Sequence, residues 1–98
     1  MQLLTKKIKE KLINNHINQD GKKTFKPVLK LFNPAGIGTW YLSELNPENN
    51  IAFGLCCLHE KEYGYVSLNE LAEFKGRFGL PIERDKWFKP TEFGELNK

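Results

Sequence analysis

The sequence predicts an α+β fold, built as a small, mainly antiparallel sheet of about four strands with an N-terminal helix and a second helix near residues 67–76. Three observations lead there. Leu4, Ile8 and Leu12 recur at four-residue spacing and form one apolar stripe. Two runs of strand formers, TWYLSEL (39–45) and IAFGLCCLH (51–59), flank the turn-forming segment NPENN. Ser67 stands three residues before Glu70, a capping box that opens a helix.

Each element follows from its residues. Residues 2–16 read as the first helix, with Thr5 able to cap or open it and Lys6, Lys7, Lys9 and Lys11 filling the circumference left by the apolar stripe. NQDGKKT (18–24) is a polar loop with an Asp-Gly turn, leading to Lys26 and Pro27. VLKLF (28–32) suits a short strand, which NPAGIG (33–38) breaks. In TWYLSEL, strict alternation sets Trp40, Leu42 and Glu44 on one face and Tyr41, Ser43 and Leu45 on the other. In IAFGLCCLH both alternating sets are largely apolar, so this strand is expected at the sheet's centre, covered on both sides. Lys61–Gly64 reads as a connection and Tyr65–Val66 as a short strand. The second helix holds Leu68, Leu71, Ala72 and Phe74; Gly76 or Gly79 ends it and Pro81 bars continuation. IERDKWFKP (82–90) reads as a last strand anchored by Trp87 and Phe88, and 91–98 as a frayed tail.

With 98 residues, 40% of them hydrophobic and 12% aromatic, the chain has material for one domain spanning 1–98. No apolar run approaches the roughly 20 residues of a membrane span, and none follows the basic N-terminus as a secretory signal requires. The only two cysteines, Cys56 and Cys57, are adjacent, which argues against a disulfide-stapled secreted domain. A cytoplasmic protein without a cofactor is the expectation. The net charge of +3 is the remainder of two opposed parts: residues 1–30 carry +6 and residues 31–98 carry −3. The basic surface of Lys6, Lys7, Lys9 and Lys11, extended by Lys22, Lys23 and Lys26, is the candidate contact surface for phosphates or an acidic partner, its plain counterpart being a solvated helix face.

The motifs that carry chemistry are few. Alternation points Cys56 away from Cys57 and His59, and the other histidine, His16, lies in the first helix, so the four zinc ligands of a structural site are not assembled and a buried thiol pair is expected. Gly36 and Gly38 do not continue into a dinucleotide fingerprint, since Tyr41 stands where the third glycine belongs, and no phosphate-loop lysine follows. A polar site is conceivable around Trp40, Glu44, Arg84 and Asp85; its plain counterpart is an ion pair of Glu44 with Arg84 or Lys30. The aromatic residues are expected mostly in the core, with Tyr41 and Trp87 as exposed exceptions.

The stretches KPVLKLFNP (26–34), TWYLSEL (39–45), FGL (53–55), YGYVSLNEL (63–71) and GLPIERDKWF (79–88), with the opening LLTKKIKEKL, resemble a small bacterial family of unknown function, number 2958 in the domain-of-unknown-function series. The resemblance covers most of the chain and implies a compact α+β domain of plasmids and other mobile elements, with no activity attached. Around CLHEKEYG many relatives carry an acidic residue and glycines, so Cys56, Cys57 and His59 are not implied as a common site.

The function expected first is a non-enzymatic binding or accessory module acting through protein or weak nucleic-acid contacts. The alternative is a small enzyme or ligand-binding domain using Glu44, Arg84 and Asp85 near Trp40. A monomer, or a weak homodimer through an exposed sheet edge, suits either.

Overall fold

Thr5 is extended, and its hydroxyl accepts the Ile8 N–H at 3.1 Å, which fixes the start of α1 (Lys6–Asn18). The computed structural model describes residues 3–19 and 25–97. In α1 Leu12 is fully buried and Ile8 half-buried, while Lys6, Lys7, Lys9 and Lys11 are exposed, so these two stripe residues mark the core face; the helix runs over 6–18 rather than 2–16, and Leu4 packs on the core from a bend before it.

The sheet has five strands: β1 (Leu29–Phe32), β2 (Thr39–Asn46), β3 (Ile51–Cys57), β4 (Lys61–Ser67) and β5 (Glu83–Arg84). They are all antiparallel, in the order β4-β3-β2-β1-β5. The α+β expectation holds, but the middle strand is β2; β3, expected at the centre, is an interior strand next to the edge strand β4. The fifth strand is two residues long, too short for any periodic signal. Lys61–Gly64 is strand rather than connection: Leu58–Glu60 makes the whole turn, its Leu58 N–H donating to the Glu60 carbonyl at 3.1 Å. Ser67 caps α2 (Leu68–Glu73) by accepting the Glu70 N–H at 3.2 Å. That helix stops at Glu73, before either glycine, because Phe74 is extended and its N–H turns back to the Leu71 carbonyl.

One face of the sheet carries the core. Leu29 and Leu31 of β1, Trp40, Leu42 and Leu45 of β2 and Ala52 of β3 pack with Leu12, Leu68, Leu71 and Ile82. The strict alternation expected for β2 fails in its second half. Leu42 pairs with Gly54 but Glu44 pairs with Phe53, so Ser43 is an extra residue, a β-bulge. The bulge lets Trp40, Leu42 and Leu45 all face the core and moves Glu44 off the Trp40 face. The Ser43 carbonyl accepts the Asn15 side-chain N–H of α1 at 2.9 Å, tying the helix to the bulge.

The Ser43 hydroxyl is buried and has no hydrogen-bond partner among the described residues. An unpaired buried hydroxyl costs stability that a methyl of similar shape does not. Ser43→Ala is therefore expected to raise unfolding stability by about 1 kcal/mol, as read by urea denaturation.

The opposite face is crossed by the chain after β5. Phe88 lies against Tyr41 with ring centroids 5.7 Å apart, and Phe93 meets Tyr63 edge-on at 5.3 Å. Phe93 opens α3 (Phe93–Leu96), and the Lys61 ammonium donates to the Leu96 carbonyl at 3.2 Å. Leu55, between Tyr41 and Tyr63 in the register, is fully buried. The expected last strand over 82–90 thus shortens to two residues, and the expected frayed tail is a packed strap. Its anchors are Phe88 and Phe93; Trp87 points to solvent.

Candidate functional site

The lysines of α1 do not form one patch. Two residues apart on a helix, Lys9 and Lys11 stand about 160° from each other, on opposite flanks of the Leu12 stripe, and Glu10 lies among them. Lys26 forms an exposed ion pair with Glu92 at 3.7 Å. Lys22 and Lys23 lie outside the described residues.

The four residues of the expected polar site go to different places. Arg84 pairs with Leu31, and Leu31 with Trp40, so Arg84 and Trp40 share the core face two strands apart. The Arg84 guanidinium donates to the Leu3 carbonyl at 3.1 Å. Asp85 accepts the Trp87 N–H at 2.9 Å and pairs with Lys30 at 3.5 Å, while the Lys30 ammonium sits 5.7 Å from the Tyr41 ring centroid. Lys30, Arg84, Asp85 and Trp87 border a recess of about 530 Å³ beside the β1–β2 turn. Neither Trp40 nor Glu44 lines it, and neither cation proposed for Glu44 pairs with it.

Glu44 lies instead in a smaller recess of about 290 Å³, with His16 from the last turn of α1, Phe53 of β3 and Tyr65 of β4. Burial pushes its carboxyl above the ordinary carboxylate range, and the nearby charge of His16 pulls partly the other way. The folded state therefore holds this proton more tightly than the unfolded chain. The stabilisation from Glu44 is complete below the unfolded pKa of about 4.3 and disappears as pH rises through the raised folded value. Glu44→Gln is expected to unfold at higher urea than the parent at pH 7, with the gap narrowing at pH 4.

Cys56 packs against the core and Cys57 faces the other side of β3; both are free and half-buried rather than fully buried as expected. The cause is their position at the end of the strand, where the β3–β4 turn opens to solvent. Burial pushes both thiols up; Cys57 and Glu62 push Cys56 further, and Lys61 opposes the shift at Cys57. Both are poor thiolates at neutral pH. His59 is exposed in the turn, and no three His, Cys, Asp or Glu side chains gather as a metal site among the described residues.

The most unusual surface is one end of the sheet, where the β1–β2 turn, the β3–β4 turn and residues 74–82 meet. Antiparallel order puts both turns at that end, and the 74–82 loop reaches it with Gly76 against the Asn33 side chain and Glu83 paired to Phe32. Ile37, Leu58, Phe74, Phe78, Leu80 and Trp87 are all exposed there. Phe78 is 87% exposed and Trp87 89%. Phe78 also has a left-handed backbone, φ 63° and ψ 16°, which is unusual for a bulky residue and costs about 1–3 kcal/mol. Sequence reading found Trp87 and missed the rest, since Phe78 within RFGLP registers only as part of a helix stop. The legible signal was three large apolar residues, Phe74, Phe78 and Leu80, in a glycine-punctuated loop.

No helix among the described residues is long and apolar enough to cross a membrane. A five-stranded antiparallel sheet with two helices packed on one face and a C-terminal strap on the other makes this a small α+β protein. The chain belongs to the family described as Protein of unknown function (DUF2958), whose family model matches residues 3–93, from the residue before Leu4 to the first residue of α3. No curated protein and no solved structure matches it.

Proposed function

We propose that this protein is a non-enzymatic accessory module of mobile genetic elements that binds a protein partner through the apolar end of its sheet. The observation that carries the reading is Phe78, whose ring stands in solvent on a strained backbone at the same end of the sheet as exposed Ile37 and Leu80. Large apolar groups gathered at one place on a small domain mark an interaction surface, and aromatic residues supply most of the binding energy in such surfaces. The spread of the α1 lysines around the helix supports a protein partner over a phosphate backbone, which needs cations along one line. The resemblance to proteins of plasmids and phage-like islands supports the mobile-element setting.

The test is photo-crosslinking in a bacterial host lysate, with a benzoylphenyl group at position 78 or 87 and, as comparison, at Lys7 on α1. A discrete, nuclease-resistant protein adduct from 78 and 87 and none from 7 is the expected result. Adducts from position 7 alone, or adducts that nuclease removes, overturn the reading in favour of a lysine-borne nucleic-acid contact.

A further inference from the structure

We propose that the recess around Glu44 is a binding site for a single organic cation, the guanidinium or ammonium head of an arginine-like or lysine-like group. It lies on a different part of the molecule from the apolar end and does not depend on that surface having a partner.

The recess is open to solvent and lined by a carboxylate, an imidazole, the amides of Gln19, Asn46 and Asn49, the apolar Ile51 and two aromatic rings, of which the carboxylate and the rings set its chemistry. Glu44 supplies a half-buried carboxylate that makes no ion pair or hydrogen bond among the described residues. The neighbouring wall is aromatic: in the register Glu44 pairs with Phe53 and Phe53 with Tyr65, so the three side chains stand in a row on the same face. The two rings lie 5.2 Å apart at 57°. His16 and Tyr65 are the other titratable groups that line the space, and His16 is near enough to Glu44 for its charge to be felt.

The nature of the occupant follows by elimination and by fit. An anion meets an unpaired carboxylate and is repelled. A metal ion finds only Glu44 and His16 as strong ligands, short of a coordination set. An apolar group would bury the carboxylate further without a partner, which costs more than the contact returns. A cation does the reverse: it supplies the missing ion-pair partner to a carboxylate that has already lost part of its hydration, and its flat or alkyl body meets the ring faces. A guanidinium fits best, since it can bond both carboxylate oxygens while its plane lies against an aromatic ring. The volume of about 290 Å³ is ample for one such head together with its stem.

Titration of the isotope-labelled protein with two probes at constant ionic strength tests this, read from amide shifts in two-dimensional NMR. The probes are methylguanidinium, a free small cation, and N-acetyl-arginine methylamide, which presents the same head as a peptide does. Saturable shifts centred on Glu44, Phe53 and Tyr65 are expected. Binding of both probes with similar strength identifies the site as one for a free cation; binding of the arginine derivative alone identifies it as one for a side chain of another protein. Glu44→Gln should weaken binding about tenfold, as loss of a charge-assisted bond does, and Tyr65→Ser about threefold, as loss of one cation–ring contact does. Asp85→Asn removes a carboxylate that is already paired to Lys30 and should leave binding unchanged. Well-dispersed spectra of each variant show that the fold persists. Absence of saturable shifts with either probe, or equal affinity in Glu44→Gln and parent, overturns the proposal.

Discussion

Gly54→Ala is expected to remove most of the stability of a domain at the lower end of the usual range. A side chain at position 54 points to the core face of β3, an interior strand, opposite Leu42 of β2. A Cβ placed there lands on the Tyr41 carbonyl oxygen and stands 2.8 Å from the Leu42 Cα. These are backbone atoms of the neighbouring strand, so no side-chain rotation relieves the overlap. The β2–β3 pair would have to separate at the Ser43 bulge, which is where Asn15 ties α1 to the sheet. A domain of this size has about 5–15 kcal/mol of stability, and a clash of this kind takes about 4 kcal/mol or more. Gly64→Ala is the matched control. Gly64 is the β4 partner of Gly54 in the same row, yet a Cβ there meets nothing within 4 Å. It should change stability by less than about 0.5 kcal/mol. Circular dichroism and urea denaturation of the two variants decide it: similar midpoints for both would show that the close approach at Gly54 is not a constraint on the fold.

The same region explains which parts of the molecule were legible in the sequence. The Ile8–Leu12 spacing, the apolar run of β3 and the Ser67 cap each express one local rule over several residues, and a helix, an interior strand and a helix start stand there, with α1 beginning four residues later than the spacing suggests. The bulge does not. A single inserted residue leaves the composition of TWYLSEL untouched while reversing the faces after Ser43, and so Glu44 was assigned to the Trp40 side. That one reversal takes Glu44 away from Trp40 in the expected site and creates the Glu44–Phe53–Tyr65 row instead. The first half of β4 is not legible because Lys61 and Glu62 are polar at an exposed edge, where alternation carries no burial signal. The C-terminal strap was missed for a related reason: Phe88 and Phe93 pack individually on rings from distant strands, so nothing periodic marks them. The apolar end is assembled from two turns and one loop far apart in sequence, and only the topology brings them together.

Leu12→Ala is expected to cost about 2–5 kcal/mol and to sit toward the upper part of that range, because α1 has little else to hold it. A helix of 13 residues is marginal by itself in water. Its first turn has no acidic residue and carries Lys6, Lys7 and Lys9, charges that oppose the positive end of the helix dipole. The helix therefore persists through its packing, and Leu12 is its only fully buried apolar side chain, flanked by half-buried Ile8 and Ile13 and by Asn15 with its bond to the Ser43 carbonyl. Truncation at position 12 leaves a cavity against Leu42 and Leu45 that the strands cannot close without disturbing the bulge. Lys7→Glu is the comparison that separates packing from charge: it touches no core residue, improves the first-turn electrostatics, and should be neutral or stabilising by up to about 1 kcal/mol. The consequence reaches the recess as well, since His16 lines it from the last turn of α1. Loosening the helix in Leu12→Ala should therefore alter the amide environments of Phe53 and Tyr65 even though neither residue is changed, whereas Lys7→Glu should leave them in place. A Leu12→Ala protein with parent-like stability and unshifted Phe53 and Tyr65 resonances would mean that α1 is held by its own propensity rather than by the sheet.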